Sequence, residues 1–470
     1  MSNTHVVIAT LVAYQLGLLA VGYWARSRAS SKSGYLIGDY QLGPWVAALS
    51  YAAGSSSAWS ILGVSGIAFS QGLSAFWLLP GTLTGHIVVW FVLAPRLQRK
   101  AKTAGWVTLT DVLVEGLPPA ARLLTARIAA VAILFSFTFY VAAQFQGAAN
   151  TFTAVFEFDF LSALLLGAAV VLVYTLWGGF WAVSVTDALQ AGLMLLASIV
   201  LPLVGLYAVG GFSGLVPQDA SGAFWSWQGG HSGWFGVGFF LGMLSIGFGP
   251  LGQPHLLNRI MALRSAQDIA RARLIALVWF TVVLGGMFLL GLIGNKMLGA
   301  VAANEQVFFV LVDELLPPVL TGVLIAAVLS AIMSTADSQL LVAGGTVQND
   351  LGMQARAEND PRVARLAVLA VALAAVALAV LLPESIFSRV LFAWNALGAA
   401  FGPLLIARLW GWPMRNWAIP SAVLTGFGLT VCFYLLPDGP GDLWERAIPF
   451  LSGALLLVIG GLPPARQRTD

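Results

Sequence analysis

Two stretches decide how this chain folds: ALSYAAGSSSAWSILG at residues 48–63 and IGFGPLGQPH at residues 246–255. Each lies within a long apolar segment and is rich in residues that weaken a helix. The first places a glycine among small polar residues, and the second packs glycines and prolines closely together. Proline removes a backbone donor and clashes with the preceding turn, and glycine weakens a helix further. The sequence therefore predicts two apolar helices that are interrupted in the middle.

The rest of the chain is strongly apolar. Of its 470 residues 59% are hydrophobic, and only 9% are charged. A membrane-spanning helix needs about 20 mostly apolar residues, and such stretches follow one another here with short polar gaps. They are continuously apolar rather than alternating, which excludes a transmembrane β-barrel. The sequence predicts an all-α polytopic membrane protein, with residues 1–470 as a single domain whose main partner is the lipid bilayer.

Thirteen apolar segments are predicted as membrane helices. Their ranges are 6–25, 44–68, 72–95, 126–155, 160–179, 186–208, 233–254, 274–299, 317–346, 366–383, 386–409, 417–436 and 447–464. Basic residues cluster in alternate connections when the N-terminus is placed outside, as the positive-inside rule requires for an odd number of spans. The predicted location is therefore the plasma membrane (the inner membrane of a bacterium), with the C-terminus in the cytoplasm.

The charged residues that carry this topology fall into two groups. The predicted cytoplasmic group is Arg26, Arg28, Lys32, Arg96, Arg99, Lys100, Lys102, Arg259, Arg264, Arg271, Arg273, Arg356, Arg362, Arg365, Arg408, Arg415, Arg466 and Arg468. The predicted outside acids are Glu157, Asp159, Asp219, Asp313, Glu384, Asp438 and Asp442. The basic stretches 96–125 and 256–273 are predicted to form short helices on the cytoplasmic surface.

The spacing of the two interrupted segments predicts an internal repeat. Five segments begin with the first interruption and five more with the second, so residues 44–208 and 233–409 are expected to form two repeats of opposite orientation. Inverted five-helix repeats that open with a broken helix occur in secondary transporters, and non-helical backbone at membrane depth is tolerated where it lines a cavity. A pair of kinked packing helices is the alternative interpretation.

Two carboxylates lie within apolar segments. Asp187 lies in the sixth predicted helix, and Asp337 lies in the ninth between Ser334, Thr335 and Ser338. An ionised carboxylate costs about 3 kcal/mol on insertion scales and marks an ion or proton pathway by default. Ser334, Asp337 and Ser338 are spaced to share one helix face. Serine and threonine in membrane helices otherwise often bond only their own preceding turn.

At these residues the chain resembles the solute:sodium symporter family, and within it most of all the proline-transporting members. The resemblance extends from about residue 35 to about residue 435. The stretches that carry it are LGPWVAALSYAAGSSSAW (42–59), WGGFWAVSVTDALQA (177–191), LYAVGGF (206–212), LGQPHLLNRIMA (251–262), LSAIMSTADSQLLVAGG (329–345) and FAWNALGAAFGPLL (392–405). It implies the LeuT-like inverted five-plus-five fold, with one helix before the repeats and two after them.

The resemblance also implies where coupling ions bind. A first sodium site would use the carbonyls of Ala53, Ser56 and Ala331 and the hydroxyls of Ser334 and Thr335. Some relatives have a second sodium site, which maps here to Asp187, Ser334, Asp337 and Ser338. Asp337 departs from the family, where serine is common. If Asp187 and Asp337 lie within about 5 Å of each other they would share a proton, so coupling to one sodium, two sodiums or a proton stays open.

The implied substrate pocket lies between the second, fourth and seventh segments. The substrate-binding residues expected there are Ser55, Ser57, Trp59, Tyr140, Ile246, Gln253 and Pro254. Ser55 replaces an aspartate of the proline-transporting relatives, and Ile246 and Pro250 replace aromatic residues of one wall. The pocket therefore suits a small amino-acid-like solute, with proline as the first expectation. Gln144 and Gln146 are further polar candidates, and each is equally suited to a helix–helix hydrogen bond.

The leading functional interpretation is sodium-coupled symport by alternating access. The alternatives are proton-coupled symport of a small carboxylate and a transporter-like solute sensor domain, for which no output module follows the last segment. The sequence has no nucleotide-binding P-loop, GxSxG, HExxH or paired cysteines. No enzymatic activity, nucleic-acid binding or obligatory protein partner is therefore expected. His255 is expected to cap or pack near the cytoplasmic end of the seventh segment.

Overall fold

The structure is a computed structural model that describes residues 3–25, 32–156, 158–177, 179–216, 222–299, 301–351, 361–382, 384–437, 439 and 441–462. Helices account for most of this part of the chain. Their bounds are α1 Asn3–Ala25, α2 Lys32–Ile37, α3 Pro44–Ser55, α4 Val64–Gln71, α5 Leu78–Ile87, α6 Ala94–Ala104, α7 Leu109–Val114, α8 Pro119–Phe156, α9 Phe160–Trp177, α10 Phe180–Ala208, α11 Gly211–Leu215, α12 Gly233–Ser245, α13 Pro254–Met261, α14 Ala266–Leu298, α15 Val307–Leu315, α16 Pro318–Asn349, α17 Pro361–Leu381, α18 Ile386–Trp410, α19 Ala418–Tyr434 and α20 Leu443–Gly461.

Within the described residues, ten helical segments are long and apolar enough to cross a membrane, judged by length and composition, and α9 and α19 include shorter apolar helices. No β-strand occurs in this part of the chain. Leu42 and Leu263 form an isolated β-bridge there. The chain is thus an all-helical, multi-pass membrane protein. The count of thirteen crossings and their orientation stay predictions. Several predicted topology markers lie outside the described residues: Arg26, Arg28, Glu157, Asp219, Arg356, Asp438, Arg466 and Arg468.

Both predicted interruptions are present. Helix α3 begins with a proline in its first turn, where the missing amide hydrogen costs nothing, and ends at Ser55. Ser56 has φ −105° and ψ 81°, and a π-helical turn then runs from Trp59 to Gly63 before α4. In the other segment, a 3-10 helix at Ile246–Gly252 separates α12 from α13, and Gln253 is extended.

The sequence prediction of a short surface helix over residues 256–273 is wrong for residues 256–261. These residues were expected to form a short helix on the cytoplasmic surface, but α13 continues the interrupted segment as far as Met261, and every residue of α13 is buried. Helix α14 begins at Ala266, where the Ser265 side chain caps it by accepting from the Asp268 amide. Leu256 and Leu257 precede, and Ile260 and Met261 follow, the polar pair Asn258 and Arg259, which is the pattern of a packed helix rather than of a surface segment.

Helices from both halves of the chain form the core around the interruptions. Helix α10 packs on α3 and α16, while α18 packs on the 3-10 segment and on α8. Helices α16 and α18 are the most enclosed of the long apolar helices. Because α3 and the 3-10 segment end within this core, their unpaired backbone groups face other helices instead of lipid, as a membrane interior requires.

A backbone bridge closes one end of this core. The Leu42 amide donates to the Ala262 carbonyl at 3.0 Å, and the Arg264 amide donates to the Leu42 carbonyl at 3.1 Å. Gln98 adds a side-chain bond to the Leu263 carbonyl at 3.0 Å. The start of one interrupted segment is therefore tied to the end of the other. Predicted topology places this end in the cytoplasm.

Candidate functional site

The first interruption brings backbone oxygens against α16. The Ser334 hydroxyl donates to the Ala53 carbonyl at 3.3 Å, and the Thr335 hydroxyl donates to the Ala53 and Gly54 carbonyls, each at 3.3 Å. Ser334 also reaches the Ala331 carbonyl at 3.3 Å. The Ala53 and Gly54 carbonyls lie in the last turn of α3, so they lack the donors that a continuing helix would supply, whereas Ala331 lies within α16. The result is a fully buried cluster of neutral oxygens.

Ser56 belongs to the same turn, and its buried hydroxyl has no hydrogen-bond partner in the described part of the chain. A buried hydroxyl without a partner costs free energy, so the Ser56 hydroxyl is an oxygen available to a cation, in addition to the Ser56 carbonyl that is the predicted ligand. The five residues predicted for the first sodium site are thus neighbours on two elements. Neutral oxygens in a dry site suit a hard ion of single charge.

Asp187 on α10 has a cationic partner that sequence analysis did not predict. The Arg259 Nη2 atom lies 3.1 Å from Asp187 Oδ2, and both side chains are almost completely buried. The Ser50 hydroxyl donates to the same oxygen at 2.7 Å, and the Ser338 hydroxyl lies 3.4 Å from it. Asp187 Oδ1 has no partner among the described residues.

Arg259 joins four helices at this point. Its Nε donates to Ser50 at 3.0 Å, its Nη1 donates to the His255 carbonyl at 2.7 Å, and its Nη2 also donates to Ser338. The guanidinium carbon lies 5.0 Å from the centre of the Phe180 ring. Arg259 therefore connects α13 to α3, α10 and α16, directly beside the predicted second cation site.

Asp337 is buried on α16, and neither of its carboxylate oxygens has a hydrogen-bond partner in the part of the chain that the structure describes. Buried carboxylates are ordinarily paired or hydrogen-bonded, because an isolated buried charge is very costly. The side chain therefore requires a proton or a cation when the core is dry. Of the four residues predicted for the second cation site, Asp187 and Ser338 are in contact, and Ser334 and Asp337 lie on the same helix as Ser338.

One wall of the predicted substrate pocket is formed by the first interruption and α8. The Gln144 side chain donates to the Ser57 hydroxyl at 3.1 Å and accepts from the Ala58 amide at 3.1 Å. The Tyr140 hydroxyl is buried, and no described residue bonds it. The Trp59 indole donates to the Ser55 carbonyl at 3.1 Å. Gln144 thus holds the interrupted backbone in place, while Tyr140 retains an unused polar atom.

The opposite wall is formed by the second interruption and α18. The Trp394 indole donates to the Ile246 carbonyl at 3.3 Å, and Gln253 Nε2 donates to the Trp394 carbonyl at 3.0 Å. The Gln253 side-chain oxygen has no partner among the described residues. Tyr140 faces Trp394 across the core with ring centres 6.5 Å apart. The aromatic character absent at Ile246 and Pro250 is therefore supplied by Trp394, from another helix.

Two histidines lie against the first interruption. His255 Nε2 is 3.2 Å from the Gly54 carbonyl, so this residue supports the break in the core, and the expectation of a packing role nearer the cytoplasmic end is only partly met. His86 contacts the Tyr51 hydroxyl at 2.9 Å and the Ser55 hydroxyl at 3.4 Å. Its ring stacks on Phe280 at a centroid distance of 3.9 Å. His86 thus lies beside Ser55, the residue that replaces an aspartate of the proline-transporting relatives.

The remaining polar candidate, Gln146, lies apart from this site. It accepts from Arg389 at 2.9 Å and donates to the Glu384 carbonyl at 2.8 Å, so the helix–helix interpretation applies to it. Pro254 begins α13 and is buried. Sequence analysis missed Arg259, Ser50, His86 and Trp394. The polar pair Asn258 and Arg259 between the apolar residues of HLLNRIM was a signal for the first of these, whereas the others have no local signature.

Just beyond α16, Asp350 forms a polar contact with α7. The Thr110 hydroxyl donates to Asp350 Oδ2 at 2.8 Å, and both residues are buried. Burial raises the pKa of the Asp350 carboxyl to about 8 against the opposing effect of the Thr110 hydrogen bond, and the nearby Asp111 carboxylate raises it further. The end of α16, the helix that carries Ser334 and Asp337, is thus next to Asp350, a carboxyl whose pKa is raised to about 8.

Comparison with known proteins gives matches over almost the whole chain. The sequence model of the Sodium:solute symporter family matches residues 35–415. The chain is 34% identical over 457 residues to the high-affinity proline transporter PutP of Bacillus subtilis, covering 94% of each protein. It is 33% identical over 475 residues to the sodium/proline symporter of Salmonella typhimurium, covering 97% of this chain and 92% of that one.

Solved structures share the fold. A Na+-coupled sialic acid symporter in a substrate-bound outward-open state superposes with a TM-score of 0.80 at 16% identity, over 98% of this chain and 99% of that chain. A nucleobase-cation-symport-1 family transporter in a closed conformation superposes with a TM-score of 0.58 at 13% identity, over 91% of this chain and 95% of that one. The chain therefore shares the overall fold of these two structures.

Proposed function

Because this chain belongs to the sodium:solute symporter family, we propose that it uses a sodium gradient to take up proline or a closely similar small amino acid. The observation that carries this proposal is the meeting of the Ala53 and Gly54 carbonyls with the Ser334 and Thr335 hydroxyls. The named relatives are proline transporters or sodium/proline symporters, which supports proline as the solute.

The first sodium ion is proposed to bind between the first interruption and α16. Its ligands would be the carbonyls of Ala53, Ser56 and Ala331 and the hydroxyls of Ser334 and Thr335. Such an ion would connect a non-helical segment to a continuous helix, and would favour whichever transporter state brings the two together. A ligand shifts a conformational equilibrium only by its difference in affinity for the two states, so this contact is where sodium would exert its effect.

The solute is proposed to bind between the two interruptions, beside Ser55, Ser57, Trp59, Tyr140, Ile246, Gln253 and Pro254. Tyr140 and Gln253 carry buried polar atoms that no described residue satisfies. A hydroxyl donor suits a carboxylate, and an amide oxygen suits an amino or imino group, so together they match the two ends of an amino acid. Trp394 and Trp59 supply apolar surface for its side chain.

A second cation is proposed at Asp187, Ser334, Asp337 and Ser338, and Asp337 supports it. A buried carboxylate without a partner among the described residues favours either a second sodium ion beside Asp337 or a proton on it. A second sodium ion would compete with Arg259 for Asp187. The repeats are proposed as residues 44–208 and 233–409 in opposite orientation, with the N-terminus outside. The two interruptions, each followed by a core helix from its own half, support this arrangement.

The function is tested by uptake of radiolabelled L-proline into proteoliposomes. An inward sodium gradient should drive accumulation, and replacing sodium by choline should abolish it. Uptake that is independent of the gradient, or that follows a proton gradient alone, would contradict sodium coupling. A panel of amino acids and carboxylic acids competed against proline then defines the solute. If proline neither accumulates nor competes, the substrate assignment is wrong while the sodium assignment stays testable with the solute that does accumulate.

A further inference from the structure

A cavity lies at the opposite end of the core from the Leu42–Leu263 bridge. It has a volume of about 390 Å3 and is partly open. Its lining comes from the end of α4 and the residues just after it, the connection 223–231, the middle and end of α12, the start of α18 and the start of α20. The polar residues that matter for its chemistry are Ser70, Ser74, His231, Asp442 and Arg446. None of them belongs to the ion or substrate sites described above.

Arg446 is the dominant charge of this cavity. The residue is only 3% exposed, although it lies in the first turn of a helix at the edge of the bundle. Its Nη2 atom pairs with Asp442 Oδ2 at 2.5 Å, and its Nη1 atom lies 3.7 Å from the Met243 sulfur. Its Nε has no hydrogen-bond partner in the described part of the chain. The guanidinium is therefore buried with one of its donors unused.

The neighbouring acids do not complete the surroundings of Arg446. The Asp442 side chain is 52% exposed, so water reduces its effect on the buried guanidinium. Glu445 is engaged elsewhere, because it accepts from Asn395 at 3.0 Å. Arginine presents its donors in a planar fork that matches a carboxylate. A carboxylate entering the cavity would therefore find a matching and incompletely used cation.

The cavity is separated from the proposed substrate site by one aromatic layer. Phe387 lines the cavity, and its ring lies 6.3 Å from that of Trp59 between centroids. The same ring contacts Gly63, where an added Cβ would lie 3.2 Å from it. A solute in the cavity would thus be next to the first interruption, with the Phe387 ring in contact with Trp59 on its far side.

We propose that this cavity is an entry site that holds the carboxylate of the incoming solute on Arg446 before the solute passes Phe387. The proposal rests on the proposed function in so far as the solute is an amino acid. The simpler alternative is that Arg446 and Asp442 form only a structural pair that stabilises the start of α20. The two interpretations differ in what each residue does to the solute: Arg446 attracts it, and Asp442 competes with it for Arg446.

Uptake kinetics with the full-length protein in proteoliposomes separate these interpretations. Arg446→Gln should raise the KM for L-proline about tenfold with Vmax within about twofold of wild type, and Arg446→Lys should have a smaller effect. Asp442→Asn should lower the KM. A structural pair would respond to either loss in the same direction, so changes of the same sign in both variants, or a fall in Vmax without a change in KM, would overturn the entry site.

A binding measurement keeps the test independent of transport. Saturation-transfer NMR on the detergent-purified protein should detect acetate with wild type and with Arg415→Gln, an exposed arginine at the other end of the bundle, but not with Arg446→Gln. If wild type fails to take up proline, the proposed function has failed, yet this acetate result still supports the entry site. Equal acetate binding by folded Arg446→Gln and by Arg415→Gln would refute it. Size-exclusion profiles establish that both variants are folded.

Discussion

Arg259 and Asp187 form an ion pair in the core of the protein, with Nη2 and Oδ2 3.1 Å apart and both side chains almost completely buried. The two residues come from different predicted repeats and meet beside the serines of α3 and α16. An arginine in this position neutralises a carboxylate that a cation would otherwise occupy. The pair therefore connects the packing of the core directly to the second cation site proposed at Asp187.

Removing the arginine should make stability depend on sodium. Breaking a buried pair by deleting one partner typically costs about 3–5 kcal/mol, because the other charge is left uncompensated. Arg259→Met should therefore lower the thermal stability of the purified protein in choline chloride. Sodium chloride should restore much of the loss if sodium can occupy the Asp187 site, since a ligand stabilises the state it binds.

The double variant Asp187→Asn/Arg259→Met is the control for this experiment. It lacks both charges of the pair, so it should be more stable than Arg259→Met in choline chloride, and its gain of stability in sodium chloride should be no larger than that of wild type. If Arg259→Met gains no more stability from sodium than wild type does, the second cation site proposed at Asp187 is wrong.

The hydroxyls on α16 should set the affinity for sodium. Ser334→Ala and Thr335→Val each remove one oxygen that lies 3.3 Å from the Ala53 carbonyl. Each should raise the sodium concentration for half-maximal uptake by about tenfold or more, which corresponds to about 1.4 kcal/mol. Ser330→Ala is the matched control on the same helix, since Ser330 bonds its own preceding turn and Tyr14. An equal sodium response in all three variants would contradict the first site.

Tyr140 should show opposite effects on stability and on transport. Its buried hydroxyl has no described partner, so Tyr140→Phe should leave thermal stability unchanged or higher. The same change should raise the KM for proline about tenfold, as expected for a lost hydrogen bond to the solute.

Tyr51→Phe gives the contrasting case. The Tyr51 hydroxyl bonds His86 at 2.9 Å, so its removal should lower the melting temperature in detergent and leave the KM of the folded protein close to wild type. A Tyr140→Phe variant that is less stable than wild type and transports with an unchanged KM would show that this hydroxyl is structural.

The Asp350–Thr110 contact should make stability fall as the pH rises. The pKa of Asp350 is raised from 3.8 to about 8, so between these values the folded protein binds a proton that the unfolded chain releases. Stability from this group is therefore present at low pH and is lost as the pH approaches about 8. Melting temperatures measured from about pH 5 to about pH 9 should decline less in Asp350→Asn than in wild type. An identical slope in both proteins would rule out this assignment.

Close packing at the second interruption should not tolerate a side chain. A Cβ at Gly252 would overlap the Leu397 carbonyl, whereas a Cβ at Gly285 would meet no atom within 4 Å. Gly252→Ala should therefore destabilise the protein by about 1–3 kcal/mol or more and reduce the yield of folded protein, while Gly285→Ala should behave like wild type. The comparison is made by fluorescence-detected size-exclusion chromatography after heating. If equal fractions of Gly252→Ala and Gly285→Ala stay folded, the 3-10 segment can shift to make room for the added Cβ.

The amino-acid sequence by itself determined the class of fold and the places where it is interrupted. Hydropathy and helix-breaking residues act locally, so the apolar segments and the breaks at Ser56 and at Ile246–Gly252 follow from short stretches. The Ser334–Ser338 face follows in the same way from helical spacing. The family resemblance then related the predicted ion ligands to one another, which hydropathy does not do.

Only the tertiary structure decided which distant groups meet. It placed Arg259, predicted to lie on the surface, against a carboxylate 72 residues away, and it filled the altered pocket wall with Trp394. It also left polar atoms of Asp337, Tyr140 and Arg446 buried without a hydrogen-bond partner among the described residues. Such pairings depend on how helices pack and which faces they present. That information is spread over the whole chain, and no single stretch contains it.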